Sequence, residues 1–249
     1  MQDSYPTPRD PLTKLSASDP ALIGLAHGSR HPDGSQGIER LMAAVAEQAK
    51  ITTVPAYLDL AQPDLGDAVR RLAQSGQRAA VVVPLLFTEA YHATVDVPQT
   101  VAEVTASGEF QLIVANILGT GDDVADLLRE SLVAAGIADY SSVLLFAVGS
   151  SNQAANDAVI DLAGRLAEGR QGPVRACFGT SRPGVTDVLD GMAEPVAALP
   201  LFLADGLLLS PLRTLASERG WQMTEPLAER AADLVRKRYD AAHAEARVG

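Results

Sequence analysis

Two stretches of this chain, Leu25-Ala26-His27-Gly28-Ser29 and Phe146-Ala147-Val148-Gly149-Ser150, close an apolar run with the same small-residue turn. Two more, Pro84-Leu85-Leu86-Phe87 and Pro200-Leu201-Phe202-Leu203, match in the same order, and between them Val54 and Pro63 fall on Val174 and Pro183. Three matched blocks in one order mark an internal duplication, so the chain is restricted to a fold built twice. Within each copy, short apolar runs alternate with longer amphipathic stretches, the pattern of successive βα units and of parallel sheets covered by helices. The runs predict strands over 21–26, 53–58, 79–84 and 110–116, then again over 143–148, 174–178, 196–200 and 222–224. Helices are expected over 35–50, 63–74, 95–105, 122–135 and 226–246, with Pro63 opening one and Gly136 following another. The expected organisation is an α/β chain of two tandem domains, 21–140 and 141–249, each a parallel sheet flanked by helices. A proline-broken leader, 1–20, is expected to be disordered.

Composition narrows the class of partner. With 47% apolar and 4% aromatic residues, packing must come from small and branched aliphatic side chains. A formal charge of -11 argues against nucleic acid, whose phosphates attract clustered Lys and Arg. The single cysteine, Cys177, leaves no internal disulfide or four-cysteine metal site and reads as a buried strand residue. No apolar stretch reaches the roughly 18 residues of a membrane span. The expectation is a soluble cytoplasmic protein, without membrane or nucleic-acid partner.

In a parallel sheet the C-terminal ends of all strands lie on one edge, where ligands bind. His27 follows the first predicted strand, Asp59 the second, and His92 comes shortly after the third. Converging there, two imidazoles and a carboxylate form a ligand set for a borderline divalent metal. In the second copy the corresponding positions are read as Val148, Gly179 and Leu208, none a metal ligand, so one site per chain is expected.

The segment Gly24-Leu25-Ala26-His27-Gly28-Ser29-Arg30 resembles the opening motif of the sirohydrochlorin chelatases. The run from Val83 through Glu89, Tyr91 and His92 to Pro98 resembles their second histidine block. Tyr57-Leu58-Asp59-Leu60-Ala61-Gln62-Pro63 resembles a third block that usually carries glutamate where this chain has Asp59. The resemblance implies a class II, flavodoxin-like chelatase fold that needs no nucleotide and no permanent cofactor. It implies a tetrapyrrole substrate, sirohydrochlorin, with His27 and His92 as catalytic metal ligands or proton acceptors and Asp59 as third ligand. Iron (Fe²⁺) is the expected metal, with cobalt (Co²⁺) insertion or a non-catalytic carrier role as alternatives. Gly28, Ser29 and Arg30 are expected to grip substrate carboxylates, arginine offering a planar fork of donors. Glu89 and Tyr91 are expected at the pocket rim. His31 is expected in a loop at the pocket mouth, His243 on the surface, and the assembly is expected to be a pseudo-dimeric monomer or a homodimer. A histidine phosphatase is the rival enzyme class, disfavoured because Ala26 precedes the histidine where that group has arginine.

Overall fold

A computed structural model describes residues 19–88, 97–105 and 108–248 of the chain. The first half runs β1 (Ala21–Ala26), α1 (Pro32–Ala49), β2 (Thr53–Tyr57), α2 (Leu65–Gln74), β3 (Ala79–Pro84), α3 (Val97–Thr105), β4 (Gln111–Val114) and α4 (Asp122–Ala134). The second runs β5 (Ser142–Ala147), α5 (Gln153–Ala167), β6 (Val174–Phe178), α6 (Val185–Leu189), β7 (Val196–Pro200), α7 (Ser210–Arg219) and β8 (Gln222–Met223). A 3-10 turn (Ala228–Ala231) then leads into α8 (Ala232–Val248). Each half forms a four-stranded parallel sheet, ordered β2-β1-β3-β4 and β6-β5-β7-β8. The duplicated α/β fold expected from the sequence is therefore present, and the two halves share one strand order.

The central strands form where apolar residues predominate. Every residue of β1 and β5 is buried, as a central strand covered on both faces requires. Helix α1 begins earlier than expected, at Pro32 rather than Ser35. His31, extended at ψ 128, acts as the residue before the first turn, and proline fits that turn because its missing N–H would have no helical partner anyway. Helix α2 begins later than expected. Pro63 lies before it in a cis Gln62–Pro63 bond, and Asp64 caps the helix by accepting from the Asp67 amide at 2.7 Å.

The register corrects the alignment of the halves by one residue. Ala26 pairs with Tyr57, and Ala147 with Phe178. The Asp59 amide donates to the His27 carbonyl at 2.9 Å, and the Thr180 amide to the Val148 carbonyl at the same distance. The counterpart of Asp59 is thus Thr180, not Gly179. The Tyr57 and Phe178 amides each donate to a proline carbonyl, Pro63 and Pro183 respectively. The first loop simply holds one residue more.

The fourth helix of each half packs on the other half. α4 lies along α5, where Arg129 Nη2 donates to the Arg165 carbonyl at 2.5 Å and Arg165 bonds the Thr120 carbonyl. α8 returns to the first half, packing on α1, β3 and β4. Its buried Leu234, Val235, Tyr239 and Ala242 recur at helical spacing. They meet the stripe Ile38, Leu41, Met42 and Val45 of α1 in one apolar core that also takes in Val124, Leu128 and Leu132 of α4. Each large aliphatic side chain so buried contributes roughly 1.5–3 kcal/mol. Arg238 locks the crossing by donating to the Ile117 and Leu118 carbonyls at 2.9 and 2.5 Å and to Asp123 at 2.8 Å. His243 is half-buried rather than on the open surface, its ring 5.8 Å from that of Tyr239.

Candidate functional site

In the order β2-β1-β3-β4 the chain leaves β1 toward β2 on one side and returns to β3 on the other. In open parallel sheets ligands bind where such connections diverge, beyond the strand ends. His27 is the first residue after β1 and stands at that switch point, half-buried. Gly28 makes the sharp departure from the strand, with φ at +100°. A side chain there would collide with the Asp59 carbonyl oxygen, so only glycine lets the two loops touch.

Asp59 meets His27 through backbone. Its carboxylate is exposed and accepts from the Leu60 amide at 2.7 Å, while Leu60 takes a left-handed φ of 60°. Among the described residues, no group of three or more His, Cys, Asp or Glu side chains is placed to hold a metal. His92, Glu89 and Tyr91 lie outside the described residues. The structure therefore brings His27 and Asp59 to one loop junction and leaves the full triad as an expectation.

Ser29 is half-buried, and its Oγ accepts from the His31 amide at 3.0 Å, shaping the turn into α1. Arg30 is exposed beside it. His31 is partly exposed, its Nδ1 3.6 Å from Asp33 Oδ2. The second half mirrors this edge with other chemistry. Val148 stands in the place of His27 and is 42% exposed, and Gly149 repeats the positive φ of Gly28 at +89°. Asn156, buried, clamps the following turn by accepting from the Ser150 amide and donating to its carbonyl, both at 2.8 Å.

The sequence left unread the seam between the halves. A Cβ built on Gly34 would stand 3.3 Å from the Asp205 carbonyl oxygen, and one on Gly37 2.5 Å from Ala204 Cβ. The glycines lie three apart, on one face of α1, and that spacing was the available signal. Asp205 is gripped by Arg213 of α7, whose Nε and Nη2 lie 2.8–3.1 Å from the carboxylate, and Nη2 also reaches Glu225 at 2.9 Å.

Elsewhere, a groove of about 750 Å³ lined by Val69, Arg70, Glu103 and Phe110 runs beside α2 and α3 and includes neither His27 nor Asp59. No helix among the described residues is long and apolar enough to cross a membrane.

The CbiX family model matches residues 21–135 and again 142–241. A sirohydrochlorin ferrochelatase of Priestia megaterium is 25% identical over 215 residues, covering 81% of this chain and 80% of that protein. A sirohydrochlorin cobaltochelatase of Methanopyrus kandleri is 32% identical over 80 residues, which are 32% of this chain, and the match spans 56% of that protein's length. Among solved structures, SirB from Bacillus subtilis with Fe³⁺ superposes with a TM-score of 0.75 at 20% identity, covering 92% of this chain and 97% of that one. The cobalt complex of the sirohydrochlorin chelatase SirB from a B. subtilis subspecies gives 0.71 at 19% identity, covering 93% and 96%. These superpositions establish the two-domain α/β fold.

Proposed function

The chain belongs to the CbiX family, and from that premise we propose that it inserts a divalent metal ion into sirohydrochlorin, with His27 and His92 as its catalytic groups. The observation that carries the reading is the position of His27, at the end of β1 where the connections to β2 and β3 diverge, with the Asp59 loop bonded to its backbone.

Metallation requires an ion to shed water and two pyrrole nitrogens to lose protons. A site therefore needs weak ligands for the ion and bases for the ring. Imidazole serves as both, since it ordinarily titrates near pH 6.5 and is largely neutral above that. In this reading His27 and His92 face the centre of the macrocycle and Asp59 steadies the ion or one imidazole. Gly28, Ser29 and Arg30, with Glu89 and Tyr91 at the rim, take the ring's carboxylates. The halves of the chain hold the ring between them, so no nucleotide is called for, and the two halves make a pseudo-dimer within one chain. The ion is a substrate and nothing else is held permanently. A lone reduced cysteine fits a cytoplasmic setting.

Iron is the metal we assign. The sirohydrochlorin ferrochelatase of Priestia megaterium matches along 81% of this chain, whereas the cobaltochelatase of Methanopyrus kandleri matches along 32%. Ligand chemistry does not decide it, because nitrogen and oxygen donors bind cobalt more tightly than iron.

The test is the absorbance of sirohydrochlorin mixed anaerobically with Fe²⁺ or Co²⁺ and a catalytic amount of protein. Acceleration by many turnovers per chain, faster with iron, is expected. Tight ring binding without acceleration would make the protein a carrier, and faster cobalt insertion would reverse the metal assignment.

A further inference from the structure

The second half contributes a held loop to the edge of the His27 site. Between Leu203 and Leu209, both buried, the chain crosses to the first half. Ala204 seats on Gly37 and the Asp205 carbonyl on Gly34, and a Cβ built on Gly206 would stand 3.9 Å from Ser29 Oγ. Ser29 is two residues from His27. The loop is fixed from its other side by the two-pronged grip of Arg213 on Asp205, with the guanidinium partly buried. Such a fork fixes geometry in a way that a single exposed ion pair does not.

What this grip presents is two leucines. Leu207 is 66% exposed and Leu208 38% exposed. The fold needs neither, since Leu203 and Leu209 already anchor both ends in the core. A stretch that is pinned by a forked ion pair and a glycine seat, yet displays apolar side chains to water, is built to touch something apolar. Along the sequence, Leu208 lies as far beyond Pro200, the last residue of β7, as His92 lies beyond Pro84, the last of β3. The duplicated sequence thus carries a metal-binding residue type in one copy and an aliphatic one in the other.

We infer that Leu207 and Leu208 are specificity-determining contacts for the apolar face of the macrocycle, and that Arg213 is a positioning residue which places them through Asp205. The inference rests on the proposed function. Apolar contact on one face leaves the opposite face to the histidines and excludes water from the ring nitrogens.

Four full-length proteins test it: the wild type, the Leu207→Ser/Leu208→Ser double variant, Arg213→Ala and Arg213→Lys. Each is titrated with metal-free sirohydrochlorin by absorbance, assayed for kcat and KM with Fe²⁺, and melted. The leucine variant is expected to raise both the ring Kd and KM about tenfold with kcat changed less than about twofold. Its Tm should stay within about 2 °C, because neither side chain is buried. Arg213→Ala should shift Kd and KM the same way. Arg213→Lys should recover part of the loss, since a point charge cannot fork. If the wild type binds and metallates the ring and the leucine variant does so equally well, the inference is wrong and the function stands. If the wild type itself does neither, the proposed function falls and the inference with it.

Discussion

The amide of Asp59 donates to the carbonyl of His27 at 2.9 Å, and the pair Thr180 and Val148 repeats that bond at the same distance in the second half. The bond is a property of the duplicated backbone, independent of side chain. Chemistry has been laid over it in one half only, where an imidazole and a carboxylate replace an isopropyl and a hydroxyl. Loss of the side chains should therefore be separable from loss of the fold.

For that reason His27→Ala and His92→Ala are each expected to lower metal insertion by at least roughly a hundredfold, the scale of a lost proton acceptor. Circular dichroism and the melting temperature of His27→Ala should stay close to the wild type, its ring being only half-buried. Near-normal turnover in the double variant would remove both residues from the mechanism.

Gly28→Ala should damage more than the histidine variant does. It forces a φ of +100° on a residue with a Cβ and drives that atom into the Asp59 carbonyl. A cost of about 2–4 kcal/mol is expected in chemical denaturation, together with loss of activity. Gly149→Ala meets Ser181 Oγ at 2.5 Å under a similar φ, and should cost stability while the folded fraction retains turnover. Equal activity loss in the two would contradict a single site per chain.

Tyr239→Phe removes the hydroxyl that donates to the Pro20 carbonyl at 2.7 Å and leaves that buried oxygen unbonded. A loss of about 1–2 kcal/mol is expected in urea titrations. An unchanged midpoint would mean water replaces the hydroxyl.

Burial pushes the Cys177 thiol from an ordinary 9.0 up to about 12, and the Tyr239 hydroxyl up to about 12 as well. The unfolded chain releases the Cys177 proton first as pH rises, while the folded chain keeps it. Stability is therefore fully present below about pH 9 and falls toward pH 12, by at most roughly 1.4 kcal/mol per pH unit for this group. Cys177→Ala should flatten the alkaline limb of a stability profile. The native thiol should also resist alkylation near about pH 8, where the unfolded chain reacts readily.

Much of the fold is legible because most of these strands are largely apolar runs between turn residues. The bounds of β1, β3, β6 and β7 read directly from the sequence. The start of α1 was misread because Pro32 argues against helix in general and for it only in the first turn. Asp59 was set against Gly179 because one loop has an extra residue, and periodicity cannot count loop residues. His27 was legible as a strand-end histidine. The grip of Arg213 on Asp205 was not, for an ion pair eight residues apart around a loop leaves no periodic trace. The amphipathic face of α8 announces burial without saying which half supplies the partner.

That exchange of α4 and α8 decides the order in which the molecule can be finished. The helix that covers β3 and β4 follows every strand in the chain, so a nascent chain carrying the first half still exposes the core that α8 will cover. The first half, severed near residue 140, is thus an open structure rather than a small chelatase. The duplicated units are clasped like two hands, and neither closes until the other arrives.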